Sequence, residues 1–337
     1  MILLAGLTGF VLAWVLTAYL ARPDARLRWM DHPNARSLHE RPVPRTGGLA
    51  ILAGILAGGL VAVLLLGPPA LSPWTGLALL LVILAALWDD VRGLGVVPRL
   101  SVQFLAAGLA AGTGLLPGLV SLPGFEWVWP GWAALVLGVL FLVWMTNLYN
   151  FMDGMDGFAG GMTVIGFAFM AWLGWRAGAP LFSALALCVA LSASGFLRWN
   201  LPPARIFMGD TGASALGFLA AVFILWAERD GVFPLWAGLL IFSPFIVDAT
   251  VTVLRRALAG EAVWRAHRTH HYQRLVVLGW GHGRTTFAGY VLMLLAGGST
   301  LVMIEAQSTP LQVTGFTIWL FVYAIIAALI RRLELRQ

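Results

Sequence analysis

Polar side chains recur at every third position in one stretch of an otherwise apolar sequence. They are Asn147, Asn150, Asp153 and Asp156. Residues three apart are neighbours on an α-helix, and Gly154 and Gly157 within the stretch permit a break or a tight turn. Carboxylate and amide oxygens are the hard ligands that Mg²⁺ prefers, usually few in number and shared with the phosphate groups of a bound molecule. The stretch therefore indicates a site for a divalent cation.

A pair of adjacent carboxylates, Asp89 and Asp90, closes an apolar run earlier in the chain. Adjacent carboxylates repel each other, and a neighbouring cation, metal ion or proton relieves the repulsion. One interpretation of the pair is catalytic. The other is a helix end at the edge of a membrane, with Arg92 and Arg99 as counter-ions, and the residues alone leave both open.

The segment 205–212, with the sequence Arg-Ile-Phe-Met-Gly-Asp-Thr-Gly, opens a later apolar run. Asp210 and Thr211 are residue types that cap the N-terminus of a helix. A helix start flanked by Gly209 and Gly212 also lets a phosphate or a metal ion approach the backbone closely. The two interpretations are compatible.

Two loops combine histidine with arginine. The first, at 264–274, suits a diphosphate, because arginine forks match phosphate oxygens and histidine can donate or exchange protons. A zinc site and a solvated basic loop are the rival interpretations. The second, at 36–48, is shaped by prolines and glycines and is either an anion site or a basic loop that only sets topology. The candidate residues are His267, Arg268, His270 and His271 in the first loop, and Arg36, His39 and Arg45 in the second.

The composition places these loops on a membrane protein. Of the 337 residues, 60% are hydrophobic and 11% charged, against roughly 25% charged in a soluble domain. The formal net charge is +6, and all 21 lysine and arginine positions are arginine. Such a charge could suggest nucleic acid, but basic residues collect in the cytoplasmic loops of membrane proteins, so no nucleic-acid partner is expected. Cys188 is the single cysteine, which excludes an internal disulfide.

About 20 apolar residues cross a bilayer as a helix, and this length divides the chain into eleven segments. The first is expected to be a retained helix rather than a cleaved signal peptide. The segments are 2–20, 47–66, 72–88, 100–116, 132–149, 158–175, 180–197, 212–227, 233–253, 286–304 and 311–330.

The distribution of arginine predicts the orientation of this bundle. Basic residues favour the cytoplasmic side of a membrane. If the N-terminus lies on the opposite, periplasmic side, every arginine except Arg176 and Arg229 lies in a cytoplasmic loop or tail. All of the polar clusters then lie on the cytoplasmic face. We therefore predict one all-α polytopic domain over residues 1–337, with about 10–11 transmembrane helices, a cytoplasmic C-terminus and a cytoplasmic-face active site.

At this point the motifs resemble the polyprenyl-phosphate N-acetylhexosamine-1-phosphate transferases. Asp89-Asp90 looks like the paired aspartates of that family, and 147–157 matches its Asn-x-x-Asn-x-x-Asp-Gly-x-Asp-Gly stretch. Residues 207–212 match Phe-Met-Gly-Asp-x-Gly, the His-Arg-x-His loop resembles the family's histidine motif, and 36–48 resembles its Arg-Ser-x-His loop. The likeness covers most of the chain in the same order.

Some positions depart from particular branches of the family. The peptidoglycan branch usually has lysine soon after the aspartate pair and a run of three histidines, whereas Arg92 follows here and Tyr272 succeeds His271. These departures argue against a muramyl-pentapeptide substrate. The loop is closest to the branch that initiates O-antigen. Thr46 stands where the family commonly has glycine.

The resemblance implies transfer of N-acetylhexosamine-1-phosphate from a UDP-sugar to undecaprenyl phosphate at a bacterial inner membrane, with release of UMP. A homodimer is one possible assembly. It implies Mg²⁺, or Mn²⁺, held by Asn150 and Asp210. Either Asp89 or Asp90 would position or deprotonate the lipid phosphate, or would form an aspartyl intermediate. The remaining implied roles are catalytic for Asp153 and Asp156, and substrate-binding for Asn147, Arg205, His267, Arg268, His270, His271, Arg36, His39 and Arg45.

A lipid or solute transporter is the main alternative from another functional class. It would need ionisable residues near the bilayer midplane or broken helices there. The carboxylates within the predicted spans lie at their ends, and Asp248 is the nearest to an exception. A second alternative, an aspartate-rich prenyltransferase, would lack the Phe-Met-Gly-Asp and His-Arg-x-His motifs.

Overall fold

The computed structural model describes residues 1–33, 37–264 and 267–336. Its helices are α1 (Ile2–Leu20), α2 (Gly47–Leu66), α3 (Pro73–Arg92), α4 (Val96–Ala111), α5 (Gly131–Met152), α6 (Phe158–Arg176), α7 (Pro180–Asn200), α8 (Gly209–Arg229), α9 (Leu235–Ile241), α10 (Ser243–Leu258), α11 (His271–Leu275), α12 (Gly281–Glu305) and α13 (Thr309–Glu334). A π-helical turn, Val276–Trp280, joins α11 to α12. Two antiparallel strand pairs are β1 (Met30–Asp31) with β2 (Val43–Pro44) and β3 (Leu119–Leu122) with β4 (Phe125–Val128).

The predicted all-α polytopic membrane fold is confirmed. Within the described ranges, nine helical segments are long and apolar enough to cross a bilayer, or ten if α9 and α10 form one span. Every predicted segment has a helical counterpart. The counterpart of 100–116 is α4, whose 16 residues rise by roughly 24 Å, short of the ~30 Å hydrocarbon core. The count of nine or ten is therefore at or just below the predicted number of about 10–11.

Two predicted boundaries were wrong. The segment 233–253 is broken, because α9 and α10 meet at a bend of 80°. Pro244 lies in the first turn of α10, where its missing N–H and its ring prevent the preceding helix from continuing. The loop predicted at 254–285 is shorter than expected, because the chain is helical again from His271 onward.

Helix α8 forms the axis of the bundle, and all of its residues from Thr211 to Ala227 are buried. It packs against α3, α5 and α2. The start of α2 lies so close to the start of α8 that a Cβ on Gly48 would lie 2.5 Å from the Gly212 nitrogen. The N-terminus of α8, with Asp210, is thereby held at the centre of one end of the bundle.

The outer helices turn apolar side chains away from the protein. On α2, Leu56 and Leu64 are exposed, as are Leu320 and Phe321 on α13. A lipid environment accommodates such surfaces, because they would otherwise form a continuous apolar patch in water. The carboxylates predicted for the site lie at the end of the bundle where α3 and α5 finish and α8 begins.

Candidate functional site

Asp90 joins the end of α3 to the start of α8. Its carboxylate accepts hydrogen bonds from the backbone N–H groups of Asp210 at 3.1 Å and Thr211 at 2.8 Å, and from the Thr211 hydroxyl at 2.5 Å. Only 2% of Asp90 is exposed. The cap of α8 is thus supplied by another helix, not by the local side chains that the sequence suggested. An acidic side chain suits this position, since a helix N-terminus carries unpaired N–H groups and partial positive charge.

The backbone at Gly209 allows this close approach. Its φ of +75° lies in the left-handed region, which glycine adopts without steric penalty. A Cβ there would also lie about 3.1 Å from the Asp90 carboxylate and would collide with the Arg45 carbonyl oxygen. Arg45 in turn donates from its guanidinium to the Asp90 carbonyl oxygen at 2.8 Å.

Asp89 faces different partners from its neighbour. One oxygen accepts from the Leu94 backbone N–H at 2.6 Å, and the other lies 3.1 Å from the Arg99 guanidinium. Arg92, the other counter-ion that the sequence suggested, lies over the Trp88 ring instead. Both carboxylates of the pair are therefore engaged by the protein.

Asn150 lies on the last turn of α5, and Asp153 follows at the C-terminus of that helix. Asp153 caps α5 and its backbone N–H donates to the Asn150 carbonyl oxygen at 3.3 Å. Burial raises the pKa of Asp153 well above its ordinary value, and the negative charges of Asp210, Asp90 and Asp31 raise it further. The carboxylates from α3, the end of α5 and the start of α8 therefore share one electrostatic environment.

Three oxygen-bearing side chains at this point have no protein donor among the described residues. The carboxylates of Asp153 and Asp210 and the amide oxygen of Asn150 accept no hydrogen bond there. No group of three or more His, Cys, Asp or Glu residues in the described ranges could hold a metal alone. Mg²⁺ usually takes one or two carboxylates and completes its shell with water and phosphate. The donor set fits such an open site.

Asp156 is engaged on both oxygens. It accepts from the Ala204 backbone N–H at 3.0 Å and lies 3.1 Å from Nδ1 of His282. Only 8% of Asp156 is exposed. The catalytic role predicted for this residue stays a prediction, and the observed contacts are those of a residue that fixes the turn between α5 and α6.

Asn147 is turned toward α4. Its amide donates to the Gln103 side chain at 2.7 Å and to the Val143 carbonyl oxygen at 2.8 Å. The predicted contact with substrate is untested. The observed contacts fix α5 against α4, so Asn147 orients the helix that carries Asn150 one turn later.

The histidine loop is anchored by Asp248 of α10. The Asp248 carboxylate accepts from the backbone N–H of His271 at 2.8 Å and of Tyr272 at 3.1 Å. Its Oδ1 also lies 3.0 Å from Nδ1 of His271 and 3.6 Å from Nδ1 of His270. The carboxylate thus caps α11 and orients the His271 imidazole, with the His270 imidazole beside it.

The same loop packs on the turn that carries Asp153. The Tyr272 hydroxyl donates to the Phe151 carbonyl oxygen at 2.9 Å. The His270 ring stacks with the Phe151 ring at 6.0 Å between centroids. A side chain on Gly154 would collide with the Tyr272 hydroxyl. The loop and the turn, more than 100 residues apart in the chain, form one surface.

His267 lies next to His270, with ring centroids 4.8 Å apart. Burial, followed by the positive charges of His270 and Arg256, lowers the pKa of His267 to about 4. The ring is therefore neutral near neutral pH, and its Nδ1 accepts from the Thr269 backbone N–H at 3.3 Å. His267 is thus suited to hydrogen bonding rather than to charge neutralisation.

The remaining predicted residues lie around this surface. Arg205 and Arg268 are exposed. His39 is half-buried, with Nε2 3.7 Å from Asp31 and its ring 5.0 Å from the Phe207 ring. Arg36 lies outside the described residues.

Sequence reasoning missed two functional candidates. Asp248 was noted only as an acidic residue within an apolar segment, with no role. His282 lay in a predicted loop and was not singled out. The available signal for His282 was its spacing from Thr286 and Tyr290, because polar residues at i, i+4 and i+8 share one face of a helix.

Comparison with known proteins gives one consistent result. The profile of glycosyl transferase family 4 matches residues 73–228. A Bacillus subtilis protein named as a probable undecaprenyl-phosphate N-acetylglucosaminyl 1-phosphate transferase is 30% identical over 98% of this chain and 89% of its own. A phospho-N-acetylmuramoyl-pentapeptide-transferase of Moorella thermoacetica is 31% identical over 88% of this chain and 96% of its own.

A decaprenyl-phosphate N-acetylglucosaminephosphotransferase of Mycobacterium leprae is 28% identical over 98% of this chain and 91% of its own. These likenesses extend over nearly the full length of each protein, and they favour an enzyme over the transporter alternative. The chain belongs to the polyprenyl-phosphate N-acetylhexosamine-1-phosphate transferases, the membrane phosphotransferases of glycosyl transferase family 4.

Proposed function

We propose that this enzyme transfers N-acetylhexosamine-1-phosphate from a UDP-sugar to undecaprenyl phosphate at the cytoplasmic face of a bacterial inner membrane. An oxygen of the lipid phosphate attacks the phosphorus that carries the sugar. The bond from that phosphorus to the bridging oxygen breaks, and UMP leaves with that oxygen. The lipid-linked product would start a cell-surface polysaccharide of the O-antigen type.

One observation carries the proposal. The carboxylates of Asp153 and Asp210 are close enough for the charge of Asp210 to raise the pKa of Asp153, and neither carboxylate has a protein donor in the described residues. Asn150, one helical turn before Asp153, likewise has an amide oxygen without a donor there. Unpaired carboxylates that lie close together are unfavourable unless a cation joins them. A divalent cation would supply that partner, and both reactants of the proposed transfer carry phosphate that binds such a cation.

Charge neutralisation is the first task at such a site, because two anionic reactants repel each other. A Mg²⁺ or Mn²⁺ ion held by Asn150, Asp153 and Asp210 would supply Lewis-acid stabilisation of the diphosphate. Asp90 keeps Asp210 in place through the hydrogen bonds at the start of α8. The buried carboxylate of Asp90 therefore acts on the site through Asp210.

The histidine loop suits the departing nucleotide phosphate. His271 is oriented by Asp248 with His270 beside it, and the exposed guanidinium of Arg268 follows His267 in the loop. Arginine and imidazole N–H groups bind phosphate oxygens. Arg205, exposed just before α8, provides a second guanidinium for the same anion.

Direct attack by the lipid phosphate is the mechanism that the contacts favour. Asp89 is held by Leu94 and Arg99, and Asp90 is held by Asp210 and Thr211. An aspartyl nucleophile at either position would first have to give up these partners. A phosphate monoester has a second pKa near 6, so its oxygen is already ionised near neutral pH and needs no strong base.

The sugar is proposed to be N-acetylglucosamine or a close N-acetylhexosamine. Two of the similar proteins carry N-acetylglucosamine in their names, from Bacillus subtilis and Mycobacterium leprae. Arg92 after the aspartate pair and Tyr272 after the two histidines disfavour the muramyl-pentapeptide substrate named for the Moorella thermoacetica protein.

Release of UMP tests the function directly. Purified enzyme in detergent is expected to release UMP from UDP-N-acetylglucosamine only when undecaprenyl phosphate and Mg²⁺ are both present. EDTA should stop release and excess Mg²⁺ should restore it. UDP-N-acetylgalactosamine and UDP-muramyl-pentapeptide serve as competing substrates. If no UDP-N-acetylhexosamine yields UMP and a lipid-linked sugar, the proposed function is wrong.

A further inference from the structure

One face of α12 holds the turn between α5 and α6. Nδ1 of His282 lies 3.1 Å from the Asp156 carboxylate. One turn later the Thr286 hydroxyl donates to the Asp156 carbonyl oxygen at 2.8 Å, and a turn beyond that the Tyr290 hydroxyl donates to the Gly157 carbonyl oxygen at 2.6 Å. The three side chains are spaced by four residues, which aligns them on one face.

His282 also reaches a different segment of the chain. Its Nε2 lies 3.3 Å from the Leu38 carbonyl oxygen. Its two nitrogens therefore face a carbonyl and a carboxylate, and Oδ2 of that carboxylate already accepts from the Ala204 N–H. Both nitrogens can donate only when the ring is protonated on both, in which form histidine has two donors.

The segment reached through Leu38, residues 37–46, is tied to the site at its other end. The Arg45 guanidinium donates to the Asp90 carbonyl oxygen at 2.8 Å. The Pro44 carbonyl oxygen accepts from the Phe207 backbone N–H at 2.7 Å. The His282 contact links the Leu38 end of this segment to Asp156.

We propose that His282 is a positioning residue of the enzyme, whose imidazole clasps segment 37–46 to the turn that carries Asp153 and Asp156. With the clasp formed, the Leu38 end of the segment, with His39, is held beside the site. Without it, this end leaves the site part of the time, while Arg45 stays bound to Asp90. The effect on catalysis rests on the proposed function, whereas the clasp itself does not.

The clasp is tested without substrate by the reactivity of a cysteine at Leu38. The Leu38 side chain packs against the core, and Leu38→Cys keeps the carbonyl oxygen that His282 contacts. The variant is made in a Cys188→Ala background, since Cys188 is buried and is the single native cysteine. A membrane-impermeant maleimide then reports how often segment 37–46 opens in the purified protein.

His282→Phe keeps a ring and removes both donors. We expect it to raise the labelling rate about tenfold or more, because hydrogen bonds to charged groups shift such equilibria by at least this factor. His282→Gln, which keeps one donor, should restore part of the protection. Arg284→Ala removes a positive charge from an exposed position two residues away and should leave the rate unchanged.

Kinetics then separate the clasp from loss of folded protein. An opened segment lowers the population of binding-competent enzyme, so His282→Phe should raise KM for the UDP-sugar by the reciprocal of the fraction that stays closed, about twofold if half of the molecules are open. A smaller amount of folded enzyme lowers kcat alone. Unchanged labelling in His282→Phe, equal acceleration by Arg284→Ala, or an unchanged KM would each overturn the proposal. Failure of the proposed function would leave the labelling result intact.

Discussion

Replacing Asp210 by asparagine is expected to reduce transfer by roughly a thousandfold or more, because electrostatic stabilisation of the transition state is often the largest single contribution to catalysis. Asp210→Asn keeps the shape of the side chain and the backbone N–H that donates a hydrogen bond to the Asp90 carboxylate. It removes one of the two carboxylates that are proposed to hold the cation together with Asn150. We therefore expect the protein to remain folded, with a melting temperature equal to or above that of the parent enzyme.

The measurement is kcat/KM for UMP release, together with thermal unfolding in the same detergent. Asp24→Asn is the matched control, since Asp24 is an exposed aspartate in the loop after α1, and it should change neither quantity. Parent-like turnover by folded Asp210→Asn would show that this carboxylate does not hold the cation.

Replacing Asp90 by asparagine is expected to reduce both transfer and stability. Breaking a buried ionic contact by removing one partner commonly destabilises by about 3–5 kcal/mol. The amide of Asp90→Asn would place an NH₂ group or a weaker acceptor against the N–H groups of Asp210 and Thr211. Because the start of α8 then shifts, transfer should fall about a hundredfold, the scale of a small misplacement of catalytic groups.

Thr211→Val provides the graded comparison for Asp90. It removes the hydroxyl hydrogen bond to Asp90 and keeps both backbone bonds, so a loss of about 1 kcal/mol is expected. Unfolding in denaturant and the rate of UMP release are measured for both variants. If Asp90→Asn lost activity with no loss of stability, its carboxylate would have a direct chemical role and the capping role would be wrong.

Much of this site could be predicted from residue types. Polar groups beside apolar spans indicate function because lipid does not solvate them, and this rule located Asp153, Asp210 and the histidine loop. The spans were also predictable, since length and apolar composition determine what crosses a bilayer.

The partner of each side chain could not be predicted. Asp89 and Asp90 are adjacent in the chain, yet Asp89 pairs with Arg99 and Asp90 caps α8. The different partners of the two carboxylates depend on how α3 packs against α8. The hydrophobic periodicity of the sequence carries no information on that packing. Asp248 gained its role in the same way, because the 80° bend between α9 and α10 brings α10 beneath the histidine loop.

The proposed cation site is tested most directly by electron paramagnetic resonance of Mn²⁺ bound to the purified enzyme with UDP-N-acetylglucosamine. We expect a single class of Mn²⁺ site that shows phosphorus hyperfine coupling from the nucleotide sugar. Asp153→Asn and Asp210→Asn should each weaken this site and remove the coupling. Retention of the same Mn²⁺ spectrum and phosphorus coupling in both variants would contradict the proposed cation site.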